Sequence, residues 1–268
     1  MIVRKVIDVS KYQGIINWEA VSASGVWGAI IRAGYGREAS QEDPCFRANY
    51  DGARAAGLKV GAYWYSYAID EADARQEASA CLTVLGGRVL DLPLFFDQED
   101  ASVPVALRSS IFRAFTERIG PAIPVGLYTY HHYLQQIVAT GGTVPVSDCL
   151  WIADYRTGAD ARGTWGCDIW QYTSQGSVPG ISGNVDINHY YDEEDTTMEY
   201  ITIGPASAGD IQALLDKAEG LGLPCSITSD VACTVTKEKP GSSADLEQIG
   251  QVLDRLTIAV KALAGEVK

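Results

Sequence analysis

The sequence predicts an α/β chain: a modified (β/α) barrel with five βα units and three further strands, followed by a small α+β (βαββα) domain. Three observations carry that expectation. Short apolar runs alternate with amphipathic stretches from the first residues to about position 138. Beyond that point the helices fade, and three strand-like runs follow, joined by Gly-rich loops. Around residues 192–197 the composition changes to Asp-Glu-Glu-Asp-Thr-Thr, and a different pattern begins. The expected organisation is therefore a barrel over 1–192, an acidic linker over 193–198 and a C-terminal module over 199–268.

Each element has its own signal. Residues 3–9 read as the first strand and 18–25 as a short helix. Residues 27–33 and 58–65 are apolar on both faces, as parallel strands covered by helices must be. Between them, 46–56 reads as a helix stopped by Gly57, a natural C′ residue. Residues 71–85 form a helix closed by Gly86-Gly87, 92–97 another buried strand, and 107–119 another helix. A fifth strand begins at 124–128 and a helix follows over 131–138. The bare strands are 150–153, 168–172 and 184–187, and eight strands in this order close an irregular barrel. A doubly wound sheet is the rival, but no GxGxxG follows an early strand. In the last module, 200–203 reads as a strand, 210–221 as a helix, and 226–228 with 233–236 as a hairpin. A final helix carries Leu246, Ile249, Leu253, Leu256, Val260 and Leu263 on one stripe.

Composition narrows the function. Hydrophobic residues make up 47% of 268, enough for a large core. The net charge of -13 repels nucleic acid and anionic lipid, because phosphate contacts need Lys and Arg. No window approaches the apolar length of a membrane span. The opening residues show no export signal, so the chain is expected to be made in the cytoplasm and to need another factor to reach a target outside it. Six scattered cysteines, without CxxC pairs, read as reduced packing residues. No cofactor motif is present and none is expected.

The segment Leu94-Phe95-Phe96-Asp97-Gln98-Glu99-Asp100 is the most informative. Side chains two apart on a strand share a face, which puts Asp97 and Glu99 about 6–7 Å apart. They lie at the C-terminal end of a buried strand, the face on which barrels build active sites. Crowded carboxyls push one pKa upward, and an acid held protonated is what a glycosidic leaving oxygen needs. A strand simply ending in solvated acids is the plainer alternative. Asp8 ends the first strand and Asp186 lies in the last, and in a closed barrel those strands are neighbours. The four acids would then meet at one rim. Four acids also suit a metal, but no His accompanies them; His131 and His132 are adjacent and point apart. No metal is expected. Polar-tipped aromatics crowd the strand ends: Tyr35, Tyr63, Trp64, Tyr65, Tyr128, Tyr130, Trp151, Tyr155, Trp170 and Tyr172. Singly each reads as core, but together around acids they suit a sugar cleft.

Six motifs occur in an order that resembles one family: Ile7-Asp8-Val9-Ser10-Lys11-Tyr12-Gln13-Gly14, Ile30-Ile31-Arg32-Ala33-Gly34-Tyr35-Gly36, Val60-Gly61-Ala62-Tyr63-Trp64-Tyr65, the Asp97/Glu99 pair, Trp151-Ile152-Ala153, and Trp170-Gln171-Tyr172 with Gly183-Asn184-Val185-Asp186-Ile187-Asn188. They resemble the family-25 glycoside hydrolases, the muramidases common among phage endolysins, over about residues 6–191. The resemblance implies hydrolysis of the β-1,4 bond from N-acetylmuramic acid to N-acetylglucosamine in bacterial peptidoglycan. It implies Glu99 as general acid and then base. Asp97 would either orient and charge-stabilise the 2-acetamido group or attack directly, and Asp8 and Asp186 would complete the cluster. Tyr63, Trp64, Tyr128, Trp151, Gln171 and Tyr172 would line the cleft. Trp64-Tyr65 departs from the His-Phe that many members carry. A chitinase-like hydrolase and a noncatalytic glycan-binding barrel are the competing readings.

The resemblance does not reach the C-terminal module. Its open strand edge and apolar helix stripe point to wall binding, self-association or both. Met198, just past the purine-rich codons that Glu193-Glu194-Asp195 permit, is placed to serve as an internal translation start.

Overall fold

The computed structural model describes residues 2–192 and the two strands Cys225–Thr228 and Ala232–Val235. The chain divides into two units, 1–192 and 193–268. In the first, eight strands close a barrel in sequence order. Five strands each lead into a helix: β1 (Ile2–Val9) into α1 (Trp18–Ala23), β2 (Gly28–Tyr35) into α2 (Phe46–Ala55), β3 (Lys59–Tyr65) into α3 (Glu71–Leu85), β4 (Leu94–Asp97) into α4 (Val105–Ile119), and β5 (Val125–Tyr130) into α5 (His131–Ala139). β6 (Leu150–Ala153), β7 (Ile169–Gly176) and β8 (Val185–Asp192) complete the wall. The three last strands are less bare than expected, because a one-turn helix, α6 (Ala161–Trp165), sits between β6 and β7. Its Asp160 side chain caps Gly163 N–H at 2.7 Å. No helix among the described residues is long and apolar enough to cross a membrane.

β1 through β7 run parallel, whereas β8 runs antiparallel to both neighbours. The closing register pairs Asp8 with Asp186 and Ile7 with Ile187. The two-residue period of each strand then separates two cores. Val6, Ile30, Phe95, Trp151 and Ile169 fill the barrel interior. Ile7, Ile31, Val60, Leu94 and Phe96 face outward under the helices. Gly126 keeps the inner layer free: a Cβ there would stand 2.4 Å from the Phe95 ring.

In the second unit, β9 (Cys225–Thr228) and β10 (Ala232–Val235) pair antiparallel, the hairpin expected from sequence. The linker 193–198, the strand at 200–203 and the helices at 210–221 and 246–263 lie outside the described residues. The four cysteines of the barrel, Cys45, Cys81, Cys149 and Cys167, are free thiols.

Candidate active site

A cleft of about 550 Å³ opens among the loops at the carboxyl ends of the parallel strands, lined by Asp8, Asp97, Glu99 and Asp186 among others. Asp8 and Asp97 are buried at the ends of β1 and β4. Glu99, two residues beyond β4, and Asp186, on β8, are part-exposed on its wall. All four acids that the sequence singled out therefore meet at one mouth.

Their charges oppose one another. Burial, reinforced by Asp186, pushes the Asp8 carboxyl well above the ordinary carboxylate range. Burial raises Asp186 as well, so this neighbouring pair holds a proton more tightly than a free carboxyl does. Burial also raises Asp97, with Glu99 and Asp8 adding to it and Arg32 opposing. Glu99 is raised by burial and by Asp186, and hydrogen bonds from Tyr65 and Tyr130 hold it down. Four carboxylates gathered in one cleft resist full ionisation, so the cluster carries protons at pH values where free acids have lost them. Among the described residues no group of three or more His, Cys, Asp or Glu is arranged to hold a metal ion.

Neutral donors hold the acids in place. Gln171 Nε2 donates to Asp8 Oδ2 at 2.9 Å and to Asp186 Oδ2 at 3.4 Å. Its Oε1 accepts from the Tyr128 and Tyr155 hydroxyls. Asn188 Nδ2 donates to Asp8 Oδ2 at 2.9 Å, while its Oδ1 accepts from Trp151 Nε1 at 2.7 Å. Tyr63, Tyr128 and Trp151 line the cleft as expected.

Three expected lining residues lie elsewhere. Trp64 is fully buried on the outer face of β3, where its Nε1 donates to Gly36 O at 3.0 Å. It follows Tyr63 on a strand, so the two must point to opposite sides. A Cβ on Gly34 would lie 2.6 Å from its ring, so glycine makes room for it there. Tyr172 is turned outward for the same reason and stacks on His189. Gln171 faces inward but is only 1% exposed, and so supports the acids from beneath.

Sequence reasoning gave no site role to Arg32, Asn188, Tyr67 or the Lys11-Tyr12 turn. Arg32 lines the cleft beside Tyr12, with its guanidinium 5.1 Å from that ring and 2.6 Å from buried Asp43. A cation in a run otherwise apolar on both faces was the available signal, because a buried charge must be paired. For Asn188 the signal was its place two residues after Asp186, on the same face of β8.

The profile of Glycosyl hydrolases family 25 matches residues 7–181. The autolytic lysozyme of Clostridium acetobutylicum is 32% identical over 212 residues, which are 77% of this chain and 61% of that protein. The bacterial lysozyme of Streptomyces coelicolor aligns at a TM-score of 0.59 and 27% identity, covering 70% of this chain and 91% of that one. The modular autolysin LytC of Streptococcus pneumoniae, solved in complex with a synthetic peptidoglycan ligand, aligns at 0.58 and 26% identity, over 70% of this chain and 47% of that one. The chain thus spans about three fifths of the Clostridium protein's length and about half of LytC's. With its profile match running from the end of β1 to the loop before β8, the chain belongs to glycosyl hydrolases family 25.

Proposed function

We propose that residues 2–192 form an N-acetylmuramidase that hydrolyses the β-1,4 bond between N-acetylmuramic acid and N-acetylglucosamine in bacterial peptidoglycan. The observation that carries this is Glu99, a part-exposed carboxyl with raised proton affinity facing three further acids across a sugar-sized cleft. Protonated Glu99 gives its proton to the glycosidic oxygen as the bond to the anomeric carbon breaks. Ionised Glu99 then takes a proton from the attacking water. Asp97 orients and charge-stabilises the 2-acetamido group from the floor of the cleft. Purified bacterial walls should lose turbidity and gain reducing ends at muramic acid, read by mass spectrometry of the fragments. Release of N-acetylglucosamine reducing ends, or no release, would refute it. A chitinase would cleave neutral chitooligosaccharides instead, and a noncatalytic barrel would bind walls without new ends.

For the whole chain, we infer an endolysin-type role in phage-driven cytolysis, with the enzyme made in the cytoplasm and admitted to the wall by another factor. Residues 199–268 would supply wall binding and self-association, and a start at Met198 would yield that module alone. The sequence pattern supports this. A full chain that stays monomeric in light scattering and fails to label cells as a fluorescent fusion would refute the module's role. Expression of the native gene without a fragment beginning at Met198 would refute the internal start.

A further inference from the structure

The loop that carries Glu99 is held from below by a buried cation. Arg108, on α4, is 1% exposed, so its charge sits away from water. Its Nη1 donates to Gln98 O at 3.2 Å and its Nη2 to Asp100 O at 2.7 Å. The carbonyl between them, Glu99 O, accepts from the Tyr133 hydroxyl at 2.9 Å. Tyr133, on α5, lies beneath the guanidinium, with its ring centroid 3.9 Å from the Arg108 carbon. Gln98 O takes a further donor, Thr129 Oγ1 at 2.8 Å, and the Gln98 amide returns a bond to Arg108 O at 3.1 Å. Three consecutive carbonyls are thus fixed by one stacked pair of side chains from two helices.

Fold stability alone does not call for this arrangement. A desolvated guanidinium is costly, and hydrogen bonds to a charged donor are strong only when their geometry is held. Arg108 Nε is buried without a partner, a further cost left unrecovered. An apolar residue would fill the space more cheaply. What the fork and the phenol supply is direction: the residues that bracket Glu99 cannot rotate, so its side chain leaves the backbone along one line. Because the carbonyls point down into the clamp, the Glu99 carboxyl is left facing the cleft.

We propose that Arg108 and Tyr133 form a backbone clamp that positions Glu99 for proton transfer, acting on the carbonyls of residues 98–100 and never touching substrate. This deepens the muramidase reading and rests on it for its kinetic consequence. The clamp itself is a statement about the loop and can be tested without turnover.

The test uses two substitutions that conserve charge. Arg108→Lys keeps the cation and loses the planar fork, and Tyr133→Phe keeps the ring and loses the hydroxyl bond to Glu99 O. Soluble uncrosslinked peptidoglycan strands give kcat and KM, and carbon NMR of the Glu99 carboxyl gives its titration midpoint in the full chain. A displacement of about 1 Å costs on the order of 10²-fold in rate, so kcat should fall by about ten- to a hundredfold with KM within about twofold. The Glu99 midpoint should fall toward the ordinary carboxylate value as the loosened loop admits water. The double variant should lose little more than the worse single one, because the pair acts as a unit. Wild-type kcat and an unchanged Glu99 midpoint in both variants, with only lower melting temperatures, would overturn the clamp. Should Arg108→Lys fail to fold, Tyr133→Phe decides alone. A wild-type chain that leaves glycan uncut would refute the muramidase reading, and the Glu99 titration would still decide the clamp.

Discussion

Gln171, two strands along the barrel wall from Asp8, donates to Asp8 at 2.9 Å and to Asp186 at 3.4 Å. One neutral amide therefore sets the spacing of two acids that would otherwise repel. Replacing it with Met conserves length but leaves a buried carboxyl without one of its two amide donors. Gln171→Met should cost about 1–3 kcal/mol of stability, the penalty for an unsatisfied buried acceptor. Denaturant midpoints would measure it. A variant as stable as the parent would show that Asn188 alone suffices for Asp8.

Glu99→Gln retains shape and hydrogen bonding but has no proton to give. Loss of general acid catalysis should lower kcat by about 10²–10⁴-fold, with circular dichroism unchanged. Walls cleared at near-normal rate by this variant would remove Glu99 from the chemistry.

The pH dependence has a sign fixed by the neighbours of Glu99. An acid catalyst works while protonated, so kcat/KM should fall as pH rises through its elevated pKa. The hydrogen bond from Tyr65 lowers that pKa. Tyr65→Phe removes it, so the alkaline limb should move to higher pH. A limb that moves the other way would mean that Tyr65 acts chiefly by keeping water out.

Glu77 lies on α3, away from the acid cluster, fully buried, and accepts the Tyr67 backbone N–H at 2.9 Å. Burial pushes its carboxyl from 4.5 up to about 7. The folded chain thus keeps a proton that the unfolded chain releases earlier. This contribution is fully present below about pH 4.5 and is lost as pH rises toward about 7. Glu77→Gln stays neutral and should escape that loss. It should be more stable than the parent by about 3 kcal/mol near pH 8, and nearly equal to it near pH 4. Parallel urea midpoints across that range would show a constant offset if Glu77 did not titrate.

Much of the barrel was legible because its parallel strands are apolar on both faces and its helices end at Gly57 and Gly86. Residues 71–85 and 150–153 fall where the sequence put them. The acids were legible because a charge at the end of an apolar run adds nothing to packing and stands out against its neighbours. Trp64 and Tyr172 were misplaced because neighbouring residues in a motif were both assigned to the cleft, although a strand presents only every second one. The reversed direction of β8 left no trace in its composition. Arg108 was hidden for a different reason: on a helix it reads as a solvated charge, and only the fold brings the loop of residues 98–100 over it.

Closure of the barrel by β8 also decides when the site comes into being. Asn188 and Asp8, bonded to each other, lie 180 residues apart in sequence. Asp186 enters only with the final strand of the barrel. A ribosome that has released β1 through β7 has made the proposed acid and most of the cleft, but not Asp186 or the amide from Asn188. The complete four-acid arrangement therefore cannot exist until β8 has been made and has paired with β1. A partly synthesised chain lacks it, and a chain trimmed before residue 185 should never acquire it.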